Sequence, residues 1–228
     1  MKHLFWTKVL TLSCLLAFNF AEAKEKAIVA VIDTGLDLQD QRFSDILCKT
    51  GHRDFTGTGI KDNHGHGTHV VGLIKKYAKS VNYCVVILKF SNGKTGDHIP
   101  AMRYLFKLHP AVVNLSLQGG GFNEDEYITI KSLPNTKFIV AAGNGNIDLT
   151  KKKIYPAIYG STEKNVITVG GLGENAEKYS LSNYGPFLKW EAAENIVSTC
   201  PNQTKCTKSG TSMATAIHTG KYVEENFK

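Results

Sequence analysis

Four short segments of the chain combine reactive side chains with glycine. In Val29-Ala30-Val31-Ile32-Asp33-Thr34-Gly35 an apolar, β-branched run ends in a carboxylate, and a glycine follows. The run reads as a buried strand with Asp33 at its carboxyl end. Three roles fit that carboxylate. It could be half of a dyad in which two acids share a proton, the buried acid that orients an imidazole beside a nucleophilic hydroxyl, or a cap for the next element. In Asp62-Asn63-His64-Gly65-His66-Gly67-Thr68-His69, three histidines could ligate a metal. A zinc site on one helix uses histidines at i and i+4 with a glutamate between; here the spacing is two and then three, with glycines. The other reading is a glycine-flanked imidazole where a loop enters a helix, open to a close-lying substrate backbone.

The remaining two segments are ambiguous alone. Ser209-Gly210-Thr211-Ser212-Met213-Ala214 reads as a helix start with hydroxyl caps. A serine in the first turn is also placed to act as a nucleophile, because the helix dipole and free N–H groups favour negative charge there. Phe138-Ile139-Val140-Ala141-Ala142-Gly143-Asn144 is an apolar strand ending in glycine and asparagine. It is either a turn or a strand that presents the Asn144 amide to a developing oxyanion.

The elements that must position these groups follow from hydrophobic patterning. Strand-like runs cover residues 27–33, 84–90, 111–117, 137–142, 165–170 and 196–199, several of them apolar almost throughout, as strands covered on both faces are. Helical patterns cover 68–79, 99–108, 124–133 and 211–226. Strands alternating with helices predict an α/β fold with a parallel sheet and helices on both faces. In such sheets ligands bind beyond the carboxyl ends of the strands, where Asp33 is expected.

The chain has 228 residues and five cysteines, with a net charge of +7. Lys2, His3 and Lys8 precede an apolar stretch at 9–20, too short to span a bilayer, and Ala21-Glu22-Ala23 supplies small residues for cleavage. Residues 1–23 therefore read as a signal peptide, with Cys14 inside it, and 24–228 as one domain without repeats or a second long apolar run. Four cysteines remain, which suggests disulfides in an exported chain and permits three pairings. Cys200 and Cys206 bracket a polar loop that a bridge could close, which leaves Cys48 with Cys84. Scattered lysines without arginine-rich, aromatic-interleaved runs argue against nucleic-acid binding. Asn202-Gln203-Thr204 is a glycosylation acceptor only in a eukaryotic secretory pathway.

Together the four segments resemble the subtilisin-like serine proteases, the subtilase or peptidase S8 family. I-D-T-G, G-H-G-T-H-V-x-G, A-A-G-N and G-T-S-M-A stand in that family's order between about residues 27 and 214. Val113-Asn114-Leu115-Ser116-Leu117, Tyr155-Pro156-Ala157 and Val166-Ile167-Thr168-Val169-Gly170 match as well. The resemblance implies a three-layer subtilisin-like fold and a secreted or periplasmic serine endopeptidase, monomeric and acting on protein or peptide substrates. It implies that Ser212 attacks the carbonyl, that His66 takes its proton, and that Asp33 orients the imidazole. Asn144 and the Ser212 N–H would form the oxyanion hole. Ser116, Leu117, Gln118 and Gly119 would be the edge strand that pairs with substrate, with Ala141, Ala142 and Gly143 lining the other side of the first pocket. His64 and His69 would be ordinary neighbours. Calcium is common in the family, but no acidic cluster names ligands, and no metal residue is assigned.

The chain also departs from the family pattern. Ala216 replaces a usual proline, Ile217 a usual histidine, and Ala192-Ala193-Glu194 a usual Ala-Pro-Gly. Gln118 stands where glycine is usual and would crowd the approach; Ile154 stands where the pocket floor is often glycine. No pro-segment is evident, and the chain stops soon after the serine helix. The expectation is a short catalytic domain leaning on its disulfides, with a non-catalytic domain that binds extended peptides as the rival.

Overall fold

The computed structural model describes residues 26–228 apart from 80, 81, 95 and 203. The expected signal peptide therefore lies outside the described residues. Seven strands form the main sheet: β1 (Ala27–Asp33), β2 (Arg53–Asp54), β3 (Tyr83–Lys89), β4 (Val112–Leu115), β5 (Lys137–Ala141), β6 (Val166–Leu172) and β7 (Lys189–Ala192). Their order is β2-β3-β1-β4-β5-β6-β7, and every pairing in it is parallel. The apolar runs explain the burial. Val29, Val31, Val85, Ile87 and Ile139 enter one core cluster, whereas Ala30, Ile32, Val86, Leu88, Phe138 and Val140 enter another. Successive side chains point to opposite faces, and both faces are covered.

Helices α1 (His66–Tyr77) and α4 (Thr211–Asn226) fill the first cluster through Val70, Leu73, Ile74, Met213, Ala216 and Val223. Helices α2 (Ile99–Leu108) and α3 (Glu124–Ser132) fill the second through Met102, Leu105 and Ile130. The result is three layers. The long apolar strands and α2, α3 and α4 stand within two residues of the sequence expectation. The run at 196–199 does not join the sheet: β8 (Ile196–Thr199) pairs antiparallel with β9 (Lys205–Lys208) in a separate hairpin. β9 is polar and half exposed, so it carries no hydrophobic signal. Helix α1 starts two residues earlier than expected, because Asp62 caps it from outside the apolar pattern.

Both expected disulfides are present. Cys48–Cys84 ties the loop before β2 to β3, with Cα atoms 4.9 Å apart, and Cys200–Cys206 closes the hairpin, with Cα atoms 5.9 Å apart. Among the described residues, no helix is long and apolar enough to cross a membrane.

Candidate active site

Asp33 ends β1 and is 3% exposed. Its Oδ1 accepts the Thr34 N–H (2.7 Å) and pairs with His66 Nδ1 (2.7 Å). A carboxylate can only accept, so the imidazole carries its proton on Nδ1 and leaves the Nε2 lone pair available as a base. His66 is the first residue of α1, and its side chain remains 22% exposed. Burial disfavours its charged form, but the Asp33 charge and hydrogen bond outweigh that, and the pKa is raised above the ordinary histidine value.

The start of α1 lacks a side-chain cap of its own, since Gly65 precedes it at φ 88°. Asp62 supplies the cap and is 2% exposed. Its Oδ1 accepts from His64 N, Gly65 N and Thr34 Oγ1, and its Oδ2 from Thr68 N and Thr68 Oγ1. The Thr34 hydroxyl in turn accepts the Gly67 N–H at 2.9 Å. One buried carboxylate thus stitches the Asp33 loop to the His66 helix. A Cβ at Gly67 would collide with the Gly35 carbonyl oxygen, so the two backbones meet only through glycine.

Ser212 is the second residue of α4. Its hydroxyl donates to the Ser116 carbonyl (3.0 Å) rather than to the imidazole, while Ser116 Oγ donates to the Ser212 carbonyl (2.9 Å). Beneath them Asn114 Nδ2 donates to Ser116 Oγ, and Thr219 Oγ1 donates to Asn114 Oδ1. The serine turn is therefore pinned to the end of β4 by a buried polar ladder.

Asn144 lies just past β5. Its Oδ1 accepts from Thr211 N (2.9 Å) and Thr211 Oγ1 (3.1 Å), which commits the oxygen inward and leaves the Nδ2 hydrogens for another acceptor. Thr211 Oγ1 also accepts the Gly143 N–H. Asn183, fully buried, holds the same loop: its Nδ2 donates to Ala142 O, and its Oδ1 accepts from Gly145 N and Ile147 N. Asp62, Asn114, Asn183 and Thr211 were not singled out from sequence. Asp62 had a local signal, an acid four residues ahead of a helical histidine, and Thr211 stood among the hydroxyl residues of the expected helix start.

Other expected site residues divide. Ala141 and Ala142 are buried at the end of β5, and Gly143 follows at φ 97°. Ser116, Leu117, Gln118 and Gly119 lie beyond β4 and are not a strand; the Gly119 N–H is already taken by Tyr155 O. Gln118 reaches across to Asn144, and its Oε1 accepts the Asn144 N–H at 3.0 Å. His64 is exposed, with its ring 6.3 Å from that of His66. His69 is fully buried and its Nε2 faces the carbonyls of Ile196 (3.0 Å) and Cys206 (3.3 Å). Burial lowers its pKa despite those carbonyls, so it is a neutral donor that locks α1 to the β8–β9 hairpin. Among the described residues no group of three or more His, Cys, Asp or Glu side chains is placed to hold a metal. A cavity of about 630 Å³ lies at the amino ends of β1, β4 and β5, lined by Ala27, Pro110 and Leu133, at the opposite end from Asp33.

An acid-held imidazole and a helix-start serine at the carboxyl ends of a parallel sheet are the parts that nucleophilic serine hydrolases use. The subtilase family model matches residues 24–223, and the chain belongs to that family. It is 33% identical over 204 residues to Subtilisin-like protease 11 of Arthroderma gypseum, covering 83% of this chain and 49% of that protein. Subtilisin-like protease 1 of Arthroderma otae is 32% identical over 215 residues, covering 85% of this chain and 42% of that protein. The chain thus spans about half the length of the curated relatives it matches. A cold-adapted subtilisin-like serine proteinase superposes with a TM-score of 0.74 at 28% identity, over 89% of this chain and 77% of that one.

Proposed function

We propose that this chain is an exported serine endopeptidase with Ser212 as nucleophile, His66 as general base and acid, and Asp33 as the acid that orients it. The observation that carries the reading is the 2.7 Å bond from His66 Nδ1 to a buried Asp33, which leaves Nε2 free on a family framework. In the reaction the Ser212 hydroxyl turns from the Ser116 carbonyl to Nε2, since catalytic hydrogen bonds often form only once substrate is bound. The proton passes to Nε2 as Oγ bonds to the substrate carbonyl carbon. The oxyanion so formed is met by Asn144 Nδ2 and the Ser212 N–H. Collapse breaks the C–N bond, and His66 gives its proton to the leaving amine. Water then repeats the sequence on the acyl-enzyme and regenerates the hydroxyl. Export is supported by the two disulfides, which persist in oxidising compartments.

The second reading, a peptide-binding domain without turnover, is favoured by one observation: the Ser212 hydroxyl is bonded to Ser116 O. A fluorophosphonate probe separates the two. The enzyme reading expects covalent labelling of the wild type and none of Ser212→Ala. A folded wild type that stays unlabelled supports the binding reading instead.

A further inference from the structure

The geometry points to Gln118 as the residue that sets specificity for the substrate side chain before the scissile bond, restricting it to glycine or alanine. This rests on the peptidase reading. A carbonyl carbon held between Ser212 Oγ and Asn144 Nδ2 places that side chain between two segments. One follows β4 and carries Ser116 and Gln118; the other follows β5 and carries Gly143 and Asn144. In this chain the space between them is already spanned. Gln118 Oε1 accepts the Asn144 N–H at 3.0 Å, and a Cβ built at Gly143 would collide with that same oxygen. The carboxamide oxygen therefore lies against the Gly143 backbone, between the two segments. Behind the far wall, Ile154 is 7% exposed and packs in one cluster with Ala142, Leu149, Ala157 and Leu188.

A methyl group or a hydrogen fits beside the carboxamide. An aromatic ring has to expel it, which breaks the bond to Asn144 and strips the amide beside the oxyanion donor of its partner. Gln118 thus acts on two links at once, filling space and holding the loop that carries Asn144.

The test uses two peptides identical except for alanine or phenylalanine before the scissile bond, with the full chain and its Gln118→Ala and Gln118→Met variants. The kcat/KM ratio of phenylalanine to alanine is expected to be about tenfold below unity in the wild type and to rise at least about tenfold in Gln118→Ala. Gln118→Met, similar in bulk but without the bond, is expected to keep the ratio low. A wild type that prefers phenylalanine, or a ratio unmoved by Gln118→Ala, overturns the inference. So does a Met variant as permissive as the Ala variant, since bulk would then not be the barrier. Fluorophosphonate labelling reads the activated serine without any such side chain. Labelling together with an unmoved ratio sinks the role of Gln118 and leaves the peptidase reading standing. Absent labelling sinks the peptidase reading, and the same two peptides binding to Ser212→Ala, with and without Gln118→Ala, then decide the groove by their Kd ratio.

Discussion

The two disulfides should separate stability from catalysis. Cys48–Cys84 closes a sequence separation of 36 and Cys200–Cys206 one of 6. The loop-entropy relation then assigns about 3.8 kcal/mol to the first and about 2.2 kcal/mol to the second. With unfolding entropy of about 2.1 cal/mol/K per residue over roughly 200 residues, these correspond to Tm losses of about 9 °C and about 5 °C. Catalysis should rank them the other way. Cys48–Cys84 lies at the β2–β3 side of the sheet, where His52 Nε2 also donates to Cys48 O. The β8–β9 hairpin closed by Cys200–Cys206 backs the helix that carries His66. Its Ser198 Oγ donates to His69 O, its Ile196 and Cys206 carbonyls face His69 Nε2, and its Pro201 lies against Gly65. The Arg42 guanidinium clamps the same loop through Cys200 O (2.8 Å) and Thr204 O (3.2 Å).

Paired alanine variants test this by calorimetry and by the rate of fluorophosphonate labelling well below both Tm values. Cys200→Ala/Cys206→Ala should slow labelling by about tenfold or more, since small displacements of a catalytic group are costly, while Cys48→Ala/Cys84→Ala stays within about threefold of wild type. If the short loop proves the greater stabiliser, or if losing it leaves labelling untouched, the reasoning about the hairpin is wrong.

Three further outcomes follow from the same contacts. Asn144→Ala should lower kcat with little change in KM; the loss of one such donor in subtilisin, a member of this same family, costs about 2.7–4 kcal/mol. On the proposed reading the neutral imidazole is the base, and because its pKa is raised above the ordinary histidine value, kcat/KM should rise with pH through a midpoint above that value. Asp33→Asn should lower both rate and midpoint, and an unchanged midpoint would contradict the assigned cause. The corresponding stabilisation is full below the unfolded pKa and is lost as pH rises through the folded one. Asp62→Ala strands five donors around the start of α1 and should cost about 3–5 kcal/mol in denaturant unfolding, with a loss under about 1 kcal/mol counting against its capping role.

Much of this was legible because the informative residues are neighbours in the chain. Asp33, Asn144 and Ser212 each sit where an apolar strand ends or a helix begins, and both boundaries leave local patterns. The alternation that sends Val29 and Val31 to one core and Ala30 and Ile32 to the other follows from strand geometry once both faces are covered. What escaped acts across distance. Asn183 reaches back 41 positions to Ala142 O, and Thr219 reaches 105 positions to Asn114 Oδ1. Neither partner has a local reason to be polar. The run at 196–199 was placed among the strands correctly but its partner was not foreseen, since Lys205–Lys208 has no apolar face to betray it.

The hidden residues also explain how a site whose main groups come from four elements can be rigid. An unpartnered polar group in an apolar core is destabilising, so a ladder such as Asn114–Ser116–Ser212 holds only if each member is satisfied. Asn114, Thr215 and Thr219 are fully buried; Thr215 back-bonds to the Thr211 carbonyl, and the single Thr219 hydroxyl proton is shared between Asn114 Oδ1 and the Thr215 carbonyl. Shifting the serine turn breaks the ladder, and shifting the Asn144 loop breaks its bonds to Thr211 and Asn183. Rotating the Ser212 hydroxyl breaks a single bond, to Ser116 O. On the proposed reading, the hydroxyl rotation that nucleophilic attack requires is therefore a motion that leaves both networks intact.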